Sequence, residues 1–211
     1  MLVLPGLLTS DVSTGPLRRF LGRLGYPAYG WGPRRNMGPS EETSRALVER
    51  FGELRRRHGR AVSLVGWSLG GIYARELSRR FPADVRQVIT LASPFRDPDA
   101  TSIPAGLLAL RPTHPDEAAF RARLATPLQV PSTAIYSRTD GIVDWRSCRE
   151  EPGPRSESIE VASSHLGMIC HPIVLLTIAD RLSQPEGEWK AFRPPAGWAW
   201  PLVPRVPSSS V

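Results

Sequence analysis

The residues with the clearest chemical potential are Gly66-Trp67-Ser68-Leu69-Gly70, a serine flanked by a glycine two positions away on each side. A serine hydroxyl is a weak nucleophile until a base takes its proton. Glycines at those positions let a strand and a helix close tightly around a serine held in a strained conformation. The pattern is short and also arises in incidental glycine-rich turns, so its setting decides. It follows the β-rich run Ala61-Val62-Ser63-Leu64-Val65 and opens a stretch from Ile72 to Phe81 with Leu77 and Phe81 at helical spacing. Strand, turn and helix in that order present the Ser68 hydroxyl at the carboxyl edge of a sheet and aim the Leu69 N–H into the same space.

A base for Ser68 is expected late in the chain, with an acid between the two. There are four histidines. His58 falls at a helix C-terminus among arginines, and His114 in a proline-rich segment. His165 follows the run Ile159-Glu160-Val161 by a short Ala-Ser-Ser loop, as a base at the end of a strand should. His171, which begins the last helix, is its rival. For the acid, the strand Thr133 to Tyr136 runs into Ser137-Arg138-Thr139-Asp140-Gly141, which puts Asp140 in the turn directly after it. Asp144 is the alternative. One carboxylate is needed to fix the imidazole tautomer and stabilise its cation. The order Ser68, Asp140, His165 follows.

The elements that must position these groups are readable from apolar spacing. Leu2-Val3-Leu4 is a short strand ended by Pro5-Gly6, and Leu17, Phe20, Leu21 and Leu24 form a helical stripe closed by Gly25. Tyr26 to Trp31 holds a short strand. Ser40 caps a helix with Glu41 and Glu42 in its first turn, an apolar stripe at Leu47, Phe51 and Leu54, and arginines before Gly59. Further strands are predicted at Val85–Leu91, Ser132–Tyr136 and Ser158–Val161, and a closing helix over Pro172–Leu182. Strands separated by helices imply an α/β fold with a mostly parallel sheet covered on both faces.

Composition narrows the class. A chain of 211 residues and 23.3 kDa, 41% hydrophobic and 22% charged, suits one globular domain. No run approaches the ~20 apolar residues of a membrane span. The start has no secretory leader, so a cytoplasmic location is expected, with a processed secreted form left open. Net charge is +7, yet the arginines are scattered beside acidic and apolar residues rather than forming a basic stripe, which argues against nucleic acid as a partner. The segment 185–211 is rich in proline and tryptophan and reads as an extended tail, partly packed through Trp189, Phe192, Trp198 and Trp200.

Over residues 1–184 the sequence resembles the α/β-hydrolase superfamily, and within it the small bacterial esterases and lipases. Gly66-Trp67-Ser68-Leu69-Gly70-Gly71, Ser137-Arg138-Thr139-Asp140-Gly141-Ile142-Val143 and Ser164-His165-Leu166-Gly167 carry the resemblance. It implies a minimal α/β-hydrolase fold of about six strands, without the usual leading hairpin. It also implies a serine hydrolase acting on carboxylic esters through an acyl-enzyme, with no cofactor and no metal. Such enzymes take a second oxyanion N–H from the loop after the first core strand, which points to Leu7 beside Leu69, although Pro5 stands where many relatives have histidine. The stretch 96–130 is longer than a simple crossover and reads either as a cap or lid or as a packed crossover helix. Trp67, Leu8, Leu107 and Leu108 are expected to line a small-molecule or lipid ester. On this fold Cys148 and Cys170 follow the acid and base loops, so a disulfide and two free thiols are both open. The same triad would also serve an acyltransferase or thioesterase. A binding module that had kept only the fold would be expected to have lost a triad member.

Overall fold

The computed structural model describes residues 1–32, 34–102 and 117–194. Six strands form one sheet: β1 (Leu2–Leu4), β2 (Tyr29–Gly30), β3 (Val62–Trp67), β4 (Val85–Leu91), β5 (Ser132–Tyr136) and β6 (Ser156–Glu160). Their order is β2-β1-β3-β4-β5-β6, and every neighbouring pair is parallel. The carboxyl ends of all six strands therefore lie on one edge, which is where open parallel sheets place their sites.

Side chains alternate across the pleat and so divide the core in two. Val3, Val65, Trp67, Ile89 and Leu91 face α1 (Gly15–Arg23) and the last helix, α5 (Pro172–Ser183), through Leu17, Leu21, Val174 and Ile178. Leu2, Leu4, Val62, Leu64 and Val88 face α2 (Glu41–His58) and α3 (Leu69–Arg80) through Leu47, Phe51, Leu54 and Leu77. The predicted cap of α2 forms: Ser40 Oγ accepts the Thr43 N–H at 3.0 Å, and Gly59 closes the helix with φ 62°. The stripe on α1 is narrower than its spacing suggests. Leu24 is its C-cap and is 50% exposed, because the helix ends before Leu24 can return to the core.

The 96–130 stretch is described at both ends. From Arg96 to Ser102 it runs beside the loop after β5: Arg96 N–H donates to Ser147, Ser102 N–H to Ile142, and Thr101 bridges Val143. At the other end lies α4 (Glu117–Ala125), whose Leu124 is fully buried against Ile72, Phe95 and Ala134. Leu107 and Leu108, expected to cover the site, lie outside the described residues, as do Trp198 and Trp200 of the tail. Its first part returns to the fold, since the Phe192 N–H donates to Glu157 at 2.7 Å and the Lys190 carbonyl accepts from Gln184 at 2.8 Å. Among the described residues no helix is long and apolar enough to cross a membrane.

Two arginines are enclosed within the fold. Arg75 on α3 is fully buried, with its guanidinium against Glu150 and the Thr126 carbonyl and over the Phe95 ring. Burial lowers its pKa, and Glu150 pulls it back up. Removing Glu150 would leave that charge uncompensated, which for buried pairs costs about 3–5 kcal/mol. Arg181 on α5 is similarly enclosed beside Glu157 and Asp180.

Of the two arrangements left open for the cysteines, the structure has the two free thiols. Cys148 ends a 3-10 turn after the β5 loop and is buried against Tyr136 and Val143, with its thiol toward the Asp144 carbonyl. Cys170 is exposed, with its thiol toward Gly167. Burial pushes the Cys148 thiol far above its ordinary range, so almost no thiolate forms there. A chromogenic disulfide reagent at neutral pH is therefore expected to titrate one thiol in the folded protein and two after unfolding without reductant. Two fast thiols in the native state, or none after unfolding, would contradict this arrangement.

Candidate active site

Three non-glycine residues among those described have positive φ: Leu8 at 59°, Ser68 at 54° and Ala92 at 45°. They lie beyond the carboxyl ends of β1, β3 and β4, which are neighbours in the sheet. Strained backbone of this kind costs about 1–3 kcal/mol per residue and persists only where the surroundings impose it. At Ser68 the imposing contacts are visible. Its N–H extends the ladder to the Leu91 carbonyl at 2.8 Å, and α3 begins at the next residue. A Cβ on Gly66 would collide with the backbone of Gly70 and Gly71, and one on Gly70 with the Leu4 carbonyl. Those approaches explain why glycine stands two residues to either side of Ser68.

His165 and Asp140 meet at the next strand ends. His165 Nδ1 lies 2.8 Å from one Asp140 carboxylate oxygen and 3.0 Å from the other, and both residues are buried. Their loops also pair through the backbone, with the His165 N–H donating to the Asp140 carbonyl at 3.0 Å. Asp140 Oδ1 accepts the N–H groups of Ile142 at 2.9 Å and Val143 at 2.7 Å, so the carboxylate is fixed before it meets the ring. The rivals fall elsewhere. Asp144 accepts the Arg146 N–H and caps the 3-10 turn, and His171 stands at the N-cap position of α5 without a side-chain capping bond.

Trp67 is 4% exposed on the α1–α5 face, so the apolar surface expected of it is not open to a ligand. Its indole N–H donates to the His165 carbonyl at 3.1 Å, and the two rings lie 5.5 Å apart. The residue before Ser68 thus anchors the loop of His165.

The loop after β1 completes the edge. Gly6 lies against Ser68, since a Cβ there would stand 3.2 Å from the Ser68 Cβ. Leu7 is half-buried and Leu8 is 37% exposed. Among the described residues no acceptor is found for the N–H of Leu7 or of Leu69. The Leu69 N–H also opens α3, whose N-terminal dipole favours negative charge. Beyond this loop, a groove of about 390 Å³ is lined by Trp31, Met37, Pro39, Leu47 and Arg34. Among the described residues no cluster of three or more His, Cys, Asp or Glu could hold a metal ion.

The sequence model of the alpha/beta hydrolase family matches residues 3–208. The chain belongs to the α/β-hydrolase family. Solved structures agree on the fold of this α/β-hydrolase. A metagenome-derived lipolytic enzyme superposes with a TM-score of 0.65 at 17% identity, over 85% of this chain and 91% of that one. A Bacillus subtilis carboxylesterase gives 0.58 at 15% identity, over 86% and 83%. Aspergillus fumigatus lipase B gives 0.63 at 17% identity over 87% of this chain, which spans about half of the fungal enzyme, 52%. No curated protein matches this α/β-hydrolase by sequence.

Proposed function

We propose that this α/β-hydrolase cleaves carboxylic esters, with Ser68 as nucleophile, His165 as general base and acid, and Asp140 as the carboxylate that orients His165. The observation that carries the reading is the pairing of a buried His165–Asp140 couple, 2.8 Å apart, with a serine held at φ 54° on the same sheet edge. The solved structures of similar fold described as lipolytic enzyme, carboxylesterase and lipase support it at the level of fold.

The steps balance without a cofactor. Ser68 Oγ bonds to the ester carbonyl carbon as its proton passes to His165 Nε2, and Asp140 stabilises the imidazolium through Nδ1–H. The N–H groups of Leu69 and Leu7 receive the oxyanion, each donor typically worth about 3–4 kcal/mol in the transition state. The C–O bond to the alcohol breaks as His165 returns the proton to the leaving oxygen. Water, deprotonated by the same ring, then releases the acid and restores Ser68.

The test is labelling by a fluorophosphonate probe and turnover of p-nitrophenyl esters from acetate to palmitate, in wild type, Ser68→Ala and His165→Ala. Labelling lost in Ser68→Ala and turnover lost in both variants is expected. Folded wild type that neither labels nor turns over any ester would overturn the reading.

A further inference from the structure

A buried asparagine outside the proposed triad holds the loop after β1 in place. Asn36 has 0% exposure, and all four of its polar groups are engaged. Its side-chain Nδ2 donates to the Pro5 carbonyl at 2.9 Å. Its backbone carbonyl accepts the Leu8 N–H at 2.6 Å, and its own N–H donates to the Thr9 carbonyl at 2.7 Å. Oδ1 accepts the Gly38 N–H at 3.1 Å and the Tyr73 hydroxyl at 3.2 Å.

Leu7 is bracketed by these bonds, since Pro5 and Leu8 on either side of the Gly6–Leu7 peptide are both tied to Asn36. Tyr73 belongs to the first turns of α3, the helix that begins at Leu69. It is held in turn by stacking on Trp31, with ring centroids 6.4 Å apart. Asp11 makes a second tie between the same two loops, accepting the N–H groups of Trp31 and Gly32 at 3.1 Å. One side chain therefore connects the segment carrying the Leu7 N–H to the helix carrying the Leu69 N–H, within an enclosed polar cluster.

We propose that Asn36 is the positioning residue that fixes the distance between the two oxyanion donors, acting through Pro5, Leu8 and Tyr73. The proposal rests on the ester-hydrolase reading. Asn36 itself does not touch substrate. The physical basis is that donors aimed at a developing oxyanion act only when pre-organised, and a shift of about 1 Å at a reacting centre can cost about 10²-fold in rate. Without the amide, the loop keeps its two backbone bonds to residue 36 but loses the tie from Pro5 to α3. Leu7 then moves with its own loop rather than with Ser68 and Leu69.

The test uses wild type, Asn36→Ala and Tyr73→Phe, with active sites counted by fluorophosphonate titration so that kcat refers only to competent protein. Asn36→Ala is expected to lower kcat about 10–100-fold, on the scale of a misplaced oxyanion donor, with KM within threefold of wild type. Tyr73→Phe removes only one hydroxyl and is expected to lower kcat about 3–10-fold in the same pattern, a fraction of that donor effect. The affinity of a trifluoromethyl ketone, whose adduct with Ser68 carries an oxyanion, should fall in step with kcat/KM across the three proteins. A role in stability alone would lower the number of titratable sites and the Tm while leaving kcat per site unchanged. Either folded variant retaining wild-type kcat per site, or ketone affinity unchanged, would overturn the proposal. Wild type without turnover would instead sink the ester-hydrolase reading, so the two failures are distinct.

Discussion

Ser68→Gly should yield a protein that is inactive and also more stable than wild type. Ser68 combines φ 54° with ψ −125°, a conformation that costs about 1–3 kcal/mol for a residue with a Cβ. Glycine adopts it without that cost, against about 1 kcal/mol for the greater freedom glycine brings to the unfolded chain. The expected balance is a gain of about 1 kcal/mol in denaturant unfolding, within the range of stabilising changes made at active sites. Ser68→Ala keeps the Cβ and the strain, so it should show no comparable gain. Both changes should lower kcat/KM for a p-nitrophenyl ester by about 10⁶, as loss of the nucleophile does in serine hydrolases. A Ser68→Gly protein less stable than Ser68→Ala would show that the turn at Ser68 is relaxed in solution.

The second large effect is expected at Asp140. Asp140→Asn keeps the shape of the side chain, and the surrounding backbone dictates how the amide must lie. The N–H groups of Ile142 and Val143 both donate to Oδ1, so the amide oxygen stays there and the NH2 takes the place of Oδ2. That NH2 then faces His165 Nδ1, which the carboxylate had met at 2.8 Å. Oδ1, 3.0 Å from Nδ1, already accepts two N–H groups, so Nδ1 accepts from the closer NH2, the ring proton moves to Nε2, and the ring can no longer take the proton of Ser68. A loss of about 10⁴ in kcat with KM little changed is expected, the size seen for a wrong-tautomer histidine. Measuring both constants by stopped-flow hydrolysis checks it, with the variant's fold confirmed by its Tm. A loss under tenfold would mean that Asp140 is not what orients His165.

These two residues were open to sequence reasoning because each sits directly after a strand, and strands announce themselves by short β-branched and apolar runs. Ser68, Asp140 and His165 each follow such a run by a few residues. Parallel topology then gathers strand ends from distant parts of the chain. Asn36 was not legible in this way. It lies in an irregular loop with no period, and its partners Pro5, Leu8 and Tyr73 come together only through the fold. An asparagine two residues before a glycine is a common turn, and nothing local separates this one from an exposed example. Trp67 was legible as a neighbour of Ser68 but not in its orientation, which depends on which face of β3 meets the β6 loop. The same limit explains Arg75. Its place on a helix with other arginines resembles a solvated face, and the partners that make its burial tolerable, Glu150, the Thr126 carbonyl and the Phe95 ring, all lie further along the chain.

The strand order carries a consequence for how the protein is made. β1 pairs with β2 and β3, and β3 with β4, so the first 91 residues hold four contiguous strands of the sheet together with the turn at Ser68. Asp140 and His165 enter on β5 and β6, which add sequentially to one side. During synthesis the turn at Ser68 thus emerges well before Asp140, His165 and α5, whose Val174 and Ile178 cover one face of the same strands. The three residues of the proposed triad therefore come together only once β5 and β6 have joined the sheet.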